Sequence, residues 1–140
     1  MWGVGFECID LEAATEQGVL VLTTPGANAE HVADFALALM LACLRRLFEV
    51  DAAVRSGAWR LPVLGADLAG ATVGLVALGQ IGRAVARRLR GFDCRALAVE
   101  PDPDRYFCRR WAVEICSLEE LLPQVDVLSL HAPLTPESRG

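Results

Sequence analysis

Six residues, Ala77-Leu78-Gly79-Gln80-Ile81-Gly82, carry the spacing from which a backbone can cradle a diphosphate. A dinucleotide site on an α/β sheet needs a tight strand-to-helix turn whose free amides, with the positive end of the helix, face the two phosphates. It also needs a carboxylate at the end of the next strand, about 20 residues on, to accept hydrogen bonds from ribose hydroxyls. Gly79 and Gly82 supply the last two glycines of Gly-x-Gly-x-x-Gly, and Glu100 follows 18 residues after Gly82. Gly79 is the glycine that lets main chain approach phosphate, and Gly82 the one that lets helix pack on strand. Ala77 stands where the pattern has the glycine that eases the turn, so the expectation is weakened rather than abolished binding. The competing reading is a turn that needs glycine for packing alone. A carboxylate at Glu100 repels a 2′-phosphate, and the next arginine is Arg105, which favours NAD over NADP.

Those residues need a strand before them, a helix after them and a second strand beyond. Val73–Leu78 reads as a strand buried on both faces, and Ile81, Val85 and Leu89 give the following helix its inner stripe, with Arg83, Arg87, Arg88 and Arg90 turned mostly to water. Gly91 ends that helix, Arg95–Val99 is the second strand, and Val125–Leu130 is a third. Between them Ser117-Leu-Glu-Glu120 has the form of a capping box. Strands alternating with helices through short links predict a parallel sheet with right-handed crossovers, half of a doubly wound fold.

Upstream, residues 11–17 read as a helix stopped by Gly18, and Val19–Leu22 as a buried strand. Asn28 is placed to cap a long helix with its side chain. In that helix Val32, Phe35, Ala36, Leu39, Met40, Cys43, Leu44 and Leu47 form the apolar stripe, widened by Leu37 and Leu41. A stripe so broad predicts packing between domains or subunits, with an ordinary core helix as the equal alternative. His31 on it reads as an exposed position rather than a ligand. Gly57–Gly70 reads as a loop.

The 140 residues suffice for roughly one domain, and 54% hydrophobic content excludes a disordered chain. Net charge −5 makes nucleic acid and anionic lipid poor partners. All 13 basic residues are arginine. Five cysteines without a Cys-x-x-Cys pair predict neither a disulfide framework nor a zinc cluster, and so no metal site. The longest oily run, Phe35–Leu44, is well short of the about 20 residues a bilayer needs, so no membrane partner and a cytoplasmic location are expected.

In this order and spacing, the segments Gly3-Val-Gly-Phe-Glu-Cys-Ile-Asp10, Gly18-Val-Leu-Val21, Pro25-Gly-Ala-Asn28, Gly57-Ala-Trp59, Asp67-Leu-Ala-Gly70, Leu78-Gly-Gln-Ile-Gly-Arg83, Ser117-Leu-Glu-Glu-Leu121 and Ser129-Leu-His-Ala-Pro-Leu-Thr135 resemble the D-isomer-specific 2-hydroxyacid dehydrogenases, phosphoglycerate-dehydrogenase-like branch. The resemblance spans essentially the whole chain. It implies an α/β, incomplete doubly wound (Rossmann-like) parallel sheet preceded by a long helix and a remnant of the substrate domain. Residues 1–25 would then be the C-terminal remnant of the substrate-binding domain, and 26–140 the truncated NAD-binding domain.

The activity implied is an oxidoreductase moving hydride between NAD and a small D-2-hydroxy acid, 3-phosphoglycerate-like or glycerate/hydroxypyruvate-like, in a homodimer. By the same resemblance Gly3, Val4 and Gly5 lie near the substrate carboxylate, with Val4 also near the nicotinamide. Gly79, Gln80, Ile81 and Gly82 form the pyrophosphate turn, Glu100 holds the adenine ribose, and His131, Ala132 and Pro133 line the cofactor. The family's catalytic His, its carboxylate partner and its substrate-clamping Arg belong downstream of the His131 segment, past Gly140, so no catalytic residue is expected here and the chain alone is expected to be inactive. Ala71, where members usually have Lys, Ala77, and the stretch Tyr106–Trp111 depart from the pattern. The other reading is a non-catalytic remnant or nucleotide-sensing interaction module of the same fold.

Overall fold

The computed structural model describes residues 5–60, 64–134 and 138. Helices α1 (Leu11–Glu16), α2 (Ala29–Leu44) and α3 (Leu47–Arg55) precede an alternating run. That run is β1 (Thr72–Val76), α4 (Gln80–Leu89), β2 (Arg95–Val99), α5 (Arg105–Trp111), β3 (Val113–Ile115), α6 (Leu118–Leu121) and β4 (Val127–Leu130). The four strands are parallel in the order β3-β2-β1-β4.

β1 lies in the middle because both of its faces are apolar. Val73 and Leu75 are fully buried in the cluster that also holds Val85 and Leu89 of α4 and Ala96 and Ala98 of β2. Gly74 faces the other way, where an added Cβ would sit 2.8 Å from Leu121 and 2.7 Å from Val125, so its lack of a side chain admits α6 to that face. The capping box forms as expected: Ser117 Oγ accepts from the Glu120 amide, and the Glu120 carboxylate accepts from that of Ser117.

Several expectations need correction. Val19–Leu22 forms no strand, and Val19, Leu20 and Leu22 are exposed. The long helix breaks after Leu44, where Arg46 adopts a left-handed φ of 51°, so Leu47 belongs to α3. Asn28 occupies the N-cap position but its side chain makes no capping bond. The buried residues of α2 are Ala29, Ala33, Leu37, Met40 and Ala42, while Phe35, Leu39 and Cys43 face outward. Small alanines choose that face because they let α2 approach α4, whose Ala84 is likewise fully buried.

Three of the four arginines assigned to water are also tied down. Arg88 donates from Nε to Asp34 at 2.6 Å and from Nη1 to Glu30 at 2.8 Å, Arg87 pairs with Glu30, and Arg83 pairs with Asp104 at 3.0 Å. Finally, the stretch 106–111 lies within α5, and Val113–Ile115 is a strand missing from the sequence reading. The loop assigned to Gly57–Gly70 carries no helix or strand in its described part.

Candidate functional site

The strand order reverses at β1: the chain passes from β1 to β2 on one side and reaches β4 on the other. At such a switch point the loops at the strand ends part and leave a crevice. The ladder carries on into those loops, with Ala77 donating its amide to the Val99 carbonyl and His131 to that of Val76, both at 2.9 Å. The strand ends therefore hold the Ala77 turn, the Glu100 corner and His131 side by side.

Ala77 adopts φ +75°, the left-handed region that glycine enters freely. Its methyl group costs about 1 kcal/mol there. The two glycines that follow serve different ends. A Cβ on Gly82 would meet the Ala77 carbonyl oxygen at 2.2 Å, so that glycine lets α4 close onto the turn. A Cβ on Gly79 would meet nothing within 4 Å. Above Gly79 there is open space, and among the described residues no side chain caps α4 and no acid lies in its first turn. Its leading amides keep their donors and their positive partial charge.

Among the described residues, two hollows open on this turn. One, of about 480 Å³, runs between α2 and α4 past Gly26, Glu30, Gly79, Gln80, Arg83 and Arg87. The other, of about 200 Å³, is walled by Pro25, Gly26, Asn28, Gly79, Gln80, Ile81 and His131. They meet at Gln80, whose side chain lies on Gly26 so closely that a Cβ there would be 1.9 Å from its Oε1.

Glu100 joins the turn directly. Its Oε2 accepts the Leu78 amide at 2.7 Å, and its Oε1 accepts that of Asp102 at 3.4 Å. The Leu78 carbonyl in turn accepts from Arg83 Nε at 2.9 Å. His131 is half-buried, with Nε2 3.0 Å from Ser129 Oγ. Burial pushes its imidazole pKa below the usual value, so the site favours the neutral ring.

The structure thus brings Gly79, Gln80, Ile81 and His131 to one hollow, sets Gly82 beneath them and bonds Glu100 to the same turn. Ala132 and Pro133 are exposed and line neither hollow, nor does Gly5; Gly3 and Val4 lie outside the described residues. Sequence reasoning gave no site role to Pro25, Gly26, Asn28 or Arg83. The signal for the first three was the Pro-Gly break just before a long helix, which brings a helix start to the crevice.

Residues 37–140 match the profile described as "D-isomer specific 2-hydroxyacid dehydrogenase, NAD binding domain". The chain belongs to this dehydrogenase family. It is 43% identical over 142 residues to a glyoxylate reductase of Korarchaeum cryptofilum, covering 98% of this chain and 43% of that protein. To a D-3-phosphoglycerate dehydrogenase of Mycobacterium leprae it is 40% identical over 139 residues, covering 99% of this chain and 26% of the relative. The apo structure of D-lactate dehydrogenase from Escherichia coli superposes with a TM-score of 0.88 at 38% identity, over 96% of this chain and 43% of that one. This member of the dehydrogenase family therefore spans less than half the length of these relatives. Its cofactor is NAD, and the turn fits that molecule: bare amides, a side-chain-free Gly79 under open space, and an acid at the second strand's end.

Proposed function

We propose that the chain is the NAD-binding portion of an enzyme that transfers hydride between NAD and a D-2-hydroxy acid of the 3-phosphoglycerate or glycerate/hydroxypyruvate kind. Residues 26–140 form the nucleotide domain, and residues 1–25 are the end of the substrate domain. One observation carries the reading: the uncapped start of α4 and the Glu100 carboxylate are joined through a single residue, Leu78. The Gln80 and Ile81 amides hold the diphosphate, and the Glu100 oxygens, already oriented by two amides, accept from the adenine ribose. His131, Ala132, Pro133 and Val4 serve the nicotinamide side, where a neutral His131 adds polarity without charge, and Gly3, Val4 and Gly5 serve the substrate carboxylate. When bound, NAD supplies the hydride acceptor.

Calorimetric titration with NAD tests the reading. Wild type binds, and Glu100→Ala weakens binding about tenfold or more, the worth of a charge-assisted hydrogen bond or two. Absence of heat in wild type contradicts the reading. The 140 residues bind NAD without oxidising a hydroxy acid; steady turnover by this chain overturns that part.

The parent works as a cytoplasmic homodimer. Five free thiols fit a reducing compartment. The outward Phe35 and Leu39 of α2, beside the exposed Leu128 and Leu130 of β4, fit a subunit contact. Sedimentation should show a dimer that Phe35→Arg dissociates, and a wild-type monomer contradicts it.

A further inference from the structure

Arg83 is a guanidinium that the sequence placed in water and the structure places at the ribose corner. Leu78 has Glu100 on its amide at 2.7 Å and Arg83 on its carbonyl at 2.9 Å, so the carboxylate and the cation flank one residue. The guanidinium is fixed on three sides: Nε by Leu78, Nη1 by Asp104 Oδ2 at 3.0 Å, and its plane by the Phe107 ring, 5.3 Å from the ring centre. It still faces the larger hollow, with about a third of the side chain exposed (36%). The Cys108 thiol, one turn into α5, lies beside this pair. Its pKa is raised first by burial and next by Asp104, with Arg83 opposing the rise.

We propose that Asp104 is a specificity residue for the nucleotide: it masks Arg83, a guanidinium already in place to receive a 2′-phosphate, and so reserves the site for NAD. The inference rests on the NAD reading of the turn and extends it from Glu100 to a second carboxylate. The planar fork of an arginine suits a phosphate, and in this fold a nearby arginine is what accommodates the 2′-phosphate of NADP. Here one arm of that fork, Nη1, is held by Asp104, and two carboxylates, Glu100 and Asp104, stand against one cation. The two oxygens of Asp104 do separate work. Oδ1 caps α5 by accepting the Phe107 amide at 3.0 Å, while Oδ2 holds Arg83. Asparagine and serine cap helices as well as aspartate. Either can keep the cap while giving up the charge that neutralises Arg83.

The test compares NAD and NADP affinities of the 140-residue chain by calorimetry, with thermal melts to confirm folding. Asp104→Asn, and independently Asp104→Ser, should tighten NADP binding about tenfold while NAD changes less than about threefold. In Asp104→Asn/Arg83→Gln the gain should vanish. Unchanged NADP affinity in both single variants, or a gain that survives the loss of Arg83, overturns the role of Asp104 while leaving NAD binding by wild type to stand. Failure of wild type to bind NAD overturns the site reading and this inference together.

Discussion

The β1–α4–β2 corner and the stretch from Phe6 to Leu22 are built from equally apolar residues, yet their surroundings are opposite. In the corner Val73, Leu75 and Val85 are fully buried, whereas Phe6, Leu11, Val19, Leu20 and Leu22 are exposed, Leu20 to 79%. The difference is the partner. Each strand of the corner finds a parallel neighbour and a covering helix within the chain, while Val19–Leu22 finds neither among the described residues. Apolar sequence therefore states a demand for burial, and the fold decides whether the same chain meets it.

The sharpest way to break this contrast is to truncate one residue on each side of it. Leu75→Ala should cost about 2–5 kcal/mol in urea unfolding through the cavity it leaves. Leu20→Ala should stay within about 0.5 kcal/mol. Equal costs would dissolve the distinction. Within the corner, Gly82→Ala should cost about 1–3 kcal/mol, because the new Cβ meets the Ala77 carbonyl oxygen at 2.2 Å. Gly79→Val tests the other glycine. It should leave the melting temperature nearly unchanged while NAD affinity falls about tenfold, since its side chain fills space that only a ligand would use.

Ala77→Gly should raise stability by up to about 1 kcal/mol by releasing the methyl group from its left-handed backbone, less the entropy glycine adds to the unfolded chain. The smallest effect is on pH. Burial lowers the His131 pKa from its ordinary 6.5, so on acidification the unfolded chain takes up a proton that the folded site resists. The contribution of His131 is complete above about pH 6.5 and is lost as pH falls below it, so His131→Asn should flatten the decline in stability between pH 7 and 5.

Legibility followed locality. Arg95–Val99, the Ser117 capping box and the glycine turn were readable because each is specified by residues within a few positions of one another. The face of α2 was not, because the partner that chose it, Ala84 on α4, lies some 50 residues away and rewards small alanines over large leucines. β3 escaped because three residues, one of them Glu114, carry no period. Arg83 escaped for a related reason: position on a helix places it near solvent, and it takes the Asp104 carboxylate and the Leu78 carbonyl, met only in the fold, to hold it at the site.

The central claim is that bare amides after Leu78 hold a diphosphate while Glu100 holds the adjoining ribose. An amide-resolved NMR titration of the labelled chain with NAD addresses it directly. The largest shifts should fall at Gly79, Gln80 and Ile81, with smaller ones at Leu78, Glu100 and His131, and little change along α1. Shifts centred on α1 or the outer face of α2, or a spectrum that NAD leaves untouched, would contradict it.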